Sequence, residues 1–304
     1  MQNSVSKGLA VIVGVGPGVG AALARKFSSK YTVALFARNS SMYIRGTISG
    51  SLAEVQKGAR VEGEFILSVG LSYLDTLNSE IEQTGGKVSP PFYFIGSFSR
   101  TLSRLIYQPS AASPQAASFP CDVGSEESVK SAFAALKTQF SDTPIELAVY
   151  NASVYVRGNI LEMEASEFES AWKVICMGAF LVSKEVVPGM LERKRGTLIF
   201  TGATASLRGS AKFAPFAVGK FGLRALSQSL AREFGPQGVH VAHVIVDGAI
   251  DTPRIRGMAA TFNKNPETEM LNPDRIADAY SYLHEQHPST WTHELDLRPA
   301  VEKF

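Results

Sequence analysis

The stretch LAVIVGVGPGVGAALARKF, residues 9–27, decides the fold. Its first half, LAVIVGV (9–15), is an uninterrupted β-branched and apolar run, the pattern of a strand buried on both faces. VGVGPGVG (13–20) follows, and an amphipathic helix is expected over 18–29. Glycines between a strand and a helix allow a tight turn and let the backbone approach a pyrophosphate at the helix N-terminus. Without a ligand the same residues would simply make a tight strand–helix turn.

Outward from that stretch the chain keeps alternating. Strands are expected at 32–38 (TVALFAR), 117–123 (ASFPCDV), 145–153 (IELAVYNAS), 196–203 (GTLIFTGA), 239–248 (VHVAHVIVDG) and 292–297 (THELDL). Helices are expected at 125–140, 164–191, 215–235 and 272–286. Apolar strands separated by helices predict one α/β domain, a three-layer, doubly wound parallel sheet of Rossmann type.

One region breaks the rhythm. About 80 residues separate the second strand from the third, far more than a crossover needs. Only 73–87 (YLDTLNSEIEQTGGK) reads as the crossover helix. The flanking segments 41–70 and 88–115 lack periodicity, and the unit becomes ordinary without them. They are either insertions belonging to the protein or retained introns. The dipeptide VS (88–89) can be written as a splice donor, and FILSVG (65–70) as a pyrimidine tract with an acceptor. Either way they are expected to be poorly packed and to carry no chemistry.

Composition narrows the function. The 304 residues are 45% hydrophobic and 19% charged, with a net charge of +2. No cluster of Lys and Arg suggests nucleic acid or an anionic membrane as partner. No segment has the uninterrupted apolar length of a membrane span, and Pro17 and the glycines break the superficial likeness of the N-terminus to a signal peptide. Cys121 and Cys176 form no disulfide framework or zinc spacing, and the five histidines form no metal pattern. A reducing, cytoplasmic setting is expected, with no metal.

The chain resembles the short-chain dehydrogenase/reductase family at Gly14, Gly18 and Gly20, through CDV (121–123), YNAS (150–153) and Lys220, to DGAIDT (247–252). The resemblance covers nearly the whole chain outside the two irregular segments. It implies that Asp122 and Val123 hold the adenine, and that Asn151 and Ala152 lie beside the cofactor. It further implies that Lys220 binds the nicotinamide ribose and that Thr252 binds the carboxamide or pyrophosphate. A homo-oligomer built through helices 164–191 and 215–235 is implied as well. Val13 stands where the family usually has threonine, and Asp247 where it has proline.

The second strand ends in Arg38. A carboxylate there would select NAD(H) by pairing with the ribose hydroxyls. A guanidinium instead suits the 2′-phosphate of NADP(H), although a strand-end arginine can also be merely solvated. NADP(H) is the expected cofactor, with NAD(H) as the alternative.

The catalytic positions are altered. In the family a tyrosine passes the proton, a serine orients the substrate oxygen and an asparagine holds a relay water. Spacing puts Phe216 at the tyrosine, Ala203 at the serine and Ile175 at the asparagine, leaving only Lys220. Thr204, Ser206, Ser210 and Tyr155 are the nearby substitutes, each of which could instead be ordinary loop packing. His240 and His243 are expected to be core residues. The segment 253–270, with Arg254, Arg256 and Met258, should cover the pocket. Two functions remain open: an atypical NADP(H)-dependent oxidoreductase acting on a small carbonyl or alcohol, or a non-catalytic NADP(H)-binding sensor or scaffold.

Overall fold

A computed structural model describes residues 8–38, 116–141, 143–257 and 265–303. The helix expected at 73–87 and the irregular segments 41–70 and 88–115 lie outside the described residues.

Among the described residues, seven parallel strands form one sheet in the order β3-β2-β1-β4-β5-β6-β7. They are β1 (Leu9–Val13), β2 (Thr32–Ala37), β3 (Ala116–Pro120), β4 (Ile145–Tyr150), β5 (Gly196–Thr201), β6 (Val239–Val246) and β7 (Glu294–Leu297). The strand order reverses between β1 and β4. Side chains alternate between the sheet's two faces, so each face builds its own core. Val11, Val13, Phe36, Tyr150 and Phe200 pack beneath α2 (Glu126–Gln139), α3 (Ala165–Glu192) and α4 (Ala214–Phe234). Ile12, Leu35, Val149, Ile199 and Val244 pack against α1 (Val19–Ser28) and α7 (Pro273–Glu285). Two short helices, α5 (Pro253–Gly257) and α6 (Pro266–Glu269), precede α7. The three-layer architecture expected from the alternation is the one observed.

Local chemistry sets the helix starts. Ser125 caps α2 by accepting from Ser128 N at 3.2 Å, and Asn272 caps α7 by accepting from Asp274 N. Helix α3 spans 28 residues and contains an 18-residue window of mean hydropathy 1.6, long and apolar enough to cross a membrane by those measures. In the fold its apolar positions pack against the sheet and α4.

A π turn, Lys173–Met177, widens α3 at mid-length. Tyr150, wholly buried at the end of β4, donates its hydroxyl to Val174 O inside that turn. A Cβ added to Gly178 would lie 2.4 Å from the same phenol oxygen, so the glycine is what admits the ring.

Candidate functional site

The glycine loop sits where the strand order reverses, at the C-terminal edge of the sheet. Gly14 has φ +88°, and a Cβ there would lie 2.3 Å from Ala152 N. Both conformation and space therefore demand glycine. Asn151 closes the contact: its N–H donates to Val13 O at 2.8 Å and its Nδ2 to Gly14 O at 2.9 Å. A Cβ on Gly20 would lie 2.8 Å from Val15 Cα, so that glycine lets α1 start close behind the strand. A Cβ on Gly18 would lie 2.8 Å from Thr252 Cγ2. The fold thus brings Thr252, from the far end of the sequence, onto the glycine loop.

On the other flank of β1, Arg38 is half-buried directly after β2. Asp122 is exposed, and its Oδ1 accepts from Gly124 N at 3.0 Å. Val123 is buried. Gly14, Gly18, Gly20, Asn151, Ala152, Asp122, Val123, Arg38 and Thr252 therefore all lie at or just past the C-terminal ends of the strands, where a dinucleotide is held in folds of this type.

Lys220 is buried inside α4 and donates from Nζ to Thr201 O at 2.7 Å. Burial alone pushes its ammonium from 10.5 down to about 7. Among the described residues no carboxylate forms an ion pair with it. The half-buried Phe216 stands one helical turn earlier, its ring centre 5.8 Å from Lys220 Nζ. Tyr155 is 56% exposed, and its ring lies 5.7 Å from that of Phe216 and 5.5 Å from that of Phe213. Ile175 is buried in the π turn, and a Cβ on Gly219 would lie 2.9 Å from its own Cβ.

The turn after β5 accounts for the remaining positions. Ala203 N donates to Ser206 Oγ at 3.1 Å, and that oxygen lies 3.4 Å from His243 Nε2. His243 Nδ1 faces Glu294 Oε2 at 3.1 Å, and Glu294 takes a two-pronged bond from Arg224 at 2.7 Å for each prong. Ser206 and His243 are fully buried, so this chain of groups braces the turn from inside. His240 stacks on Trp291 with ring centres 4.9 Å apart. Ser210 is exposed. Half-buried Thr204 donates its hydroxyl to the buried carboxylate of Asp247, at the end of β6. No local sequence signal marks that contact. In the segment expected to cover the pocket, Arg256 is held by Asp251 through two bonds of 2.5 and 2.6 Å. Arg254 is exposed, and Met258 lies outside the described residues.

This arrangement can hold a dinucleotide along the strand ends. Known proteins match the chain. The family model described as enoyl-(acyl carrier protein) reductase matches residues 98–294. The 3-oxoacyl-[acyl-carrier-protein] reductase MabA of Mycobacterium tuberculosis is 28% identical over 168 residues, covering 54% of this chain and 67% of that protein. The crystal structure of a short-chain dehydrogenase from Rhodopseudomonas palustris is 28% identical, with a TM-score of 0.65 over 96% of this chain and 99% of that one. A metagenomic short-chain oxidoreductase solved with NADP has the same TM-score at 21% identity, over 98% of this chain and 100% of that one. The chain belongs to the short-chain dehydrogenase/reductase family of oxidoreductases.

Proposed function

We propose that this protein is an NADP(H)-dependent oxidoreductase acting on a small carbonyl or alcohol, with the family's tyrosine, serine and asparagine replaced. The observation that carries this reading is Lys220. A buried ammonium bonded to a single carbonyl is costly to keep unless it serves a ligand. It lies at the same sheet edge as the glycine loop, where the close packing of Gly14 on Ala152 and of Gly20 on Val15 sets the start of α1 beside the strand ends, the place a pyrophosphate would take. When bound, NADP(H) supplies or takes up the hydride. The glycine loop and Thr252 would hold the pyrophosphate, Asp122 and Val123 the adenine, Arg38 the 2′-phosphate, and Asn151, Ala152 and Lys220 the nicotinamide half. The structure relative solved with NADP fits that choice.

A second reading is supported by the same site. Phe216, Ala203 and Ile175 remove all three polar groups at once, which suits an NADP(H)-binding sensor or scaffold. Losing a positioned general acid costs roughly 10²- to 10⁴-fold in rate, which slows hydride transfer without abolishing it. Exposed Phe180, Val218 and Phe221 on α3 and α4 offer an apolar face on which a homo-oligomer would form.

Titration with NADPH and with NADH, read by nicotinamide fluorescence, tests the cofactor. Micromolar NADPH affinity with much weaker NADH supports the site as described; no binding of either rejects it. Carbonyl reduction by the NADPH complex then separates enzyme from sensor.

A further inference from the structure

We propose that Asp247, acting through Thr204, is this protein's proton acceptor in place of the absent tyrosine. The inference rests on the oxidoreductase reading above. Thr204 follows the position where the family keeps its serine. It sits on the turn that leaves β5, against α4 and close to the Lys220–Thr201 bond. Asp247 is 2% exposed, fixed by its N–H to Leu297 O at 2.8 Å, and its Oδ2 lies 3.7 Å from Arg298 Nη1. That Oδ2 makes no hydrogen bond among the described residues.

The direction of the Thr204–Asp247 bond carries the chemistry. Thr204 donates its single hydroxyl proton to the Asp247 carboxyl oxygen, which accepts it. The threonine oxygen then turns its lone pairs away from Asp247, on the half-exposed side of the residue. Such an oxygen can receive a proton from an alcohol as its own passes to Asp247.

For oxidation of a secondary alcohol the balance is as follows. The C–H bond breaks and its electron pair leaves as hydride to the oxidised nicotinamide dinucleotide. The alcohol O–H proton passes to Thr204 Oγ, and the former Thr204 proton passes to Asp247, which releases it to water. The products are a ketone, the reduced dinucleotide and one proton. Carbonyl reduction runs the same steps backward, from protonated Asp247.

Asp247→Asn keeps an acceptor for the Thr204 hydroxyl but cannot take its proton. Thr204→Val removes the relay, and Thr204→Ser preserves it. The full chain would be assayed with NADP⁺ and 2-butanol, 2-octanol or the N-acetylcysteamine thioester of 3-hydroxybutyrate, and in reverse with NADPH and the matching ketones. NADPH affinity by fluorescence and melting temperature would be recorded for every variant.

Asp247→Asn and Thr204→Val should each lose at least about 100-fold in kcat. Thr204→Ser should stay within about tenfold of wild type, and NADPH affinity should stay within about threefold throughout. Phe216→Tyr added to Asp247→Asn should recover at least about tenfold, which a merely structural aspartate would not allow.

Turnover by Asp247→Asn within about threefold of wild type overturns the proposal and leaves the oxidoreductase reading standing. Loss without rescue by Phe216→Tyr makes Asp247 structural and also overturns it. A wild-type chain that binds NADPH but moves no hydride with any of these compounds overturns both.

Discussion

The ring of Phe216 faces the Lys220 ammonium across 5.8 Å, one turn apart on α4. The family's tyrosine would put a phenol oxygen on that ring. Restoring Phe216→Tyr together with Ala203→Ser should raise carbonyl reduction at least about tenfold, measured as kcat with NADPH and a methyl ketone. No gain would mean that the pocket has been reshaped around other groups.

Lys220 itself should be costly to the fold. Its ammonium is lowered from 10.5 to about 7, so the unfolded chain holds that proton more tightly than the folded one. The penalty is full below about pH 7 and disappears as pH rises past about 10.5. Lys220→Met should therefore raise the melting temperature at pH 7 by about 4 °C or more while weakening NADPH binding. A lower melting temperature would show that the bond to Thr201 O outweighs desolvation.

Gly14→Ala should do the opposite. It forces a side chain into φ +88° and onto Ala152 N. A loss of roughly 2–4 kcal/mol is expected, with NADPH binding abolished. Urea unfolding measures it, and a loss below about 0.5 kcal/mol would contradict the close approach of β1 to β4.

Arg38→Ser should weaken NADPH at least about tenfold and leave NADH within about twofold. Parallel fluorescence titrations give the ratio. Equal losses for both cofactors would place Arg38 away from the 2′-phosphate.

Acid should loosen the packing of β6 and of the end of α7 that seats on β5. Burial pushes the imidazoles of His243 and His284 down to about 4. The unfolded residues titrate near 6.5, so the unfolded chain takes up protons first. The stability tied to these neutral rings is complete above about pH 6.5 and is lost as pH falls toward about 4. Thermal melts should drop steeply below about pH 6. A level profile down to about pH 4.5 would contradict the burial of both rings.

The fold was legible because apolar runs mark buried strands. Expected ends ran past observed ones where the chain stays extended without a neighbour: β1 stops at Val13, before the positive φ of Gly14, and β4 stops at Tyr150 rather than residue 153. The tight turn at Gly14 and the nearness of Phe216 to Lys220 could be read from local spacing. Thr204–Asp247 could not, because 43 residues separate the partners and only the β5–β6 register, with Thr201 opposite Val244, brings them together. The π turn was hidden for a similar reason, since it depends on a phenol arriving from β4.

The chain leaves β2 at Ala37 and returns at Ala116, and these two strands form one rim of the sheet. A connection at the rim can change in length without threading the interior, so foreign sequence could be grafted there with the seven-stranded frame intact. Arg38 is the first residue past that exit. A graft would thus sit beside the group expected to read the adenosine phosphate, making this junction a natural place to couple a sensor domain to cofactor preference.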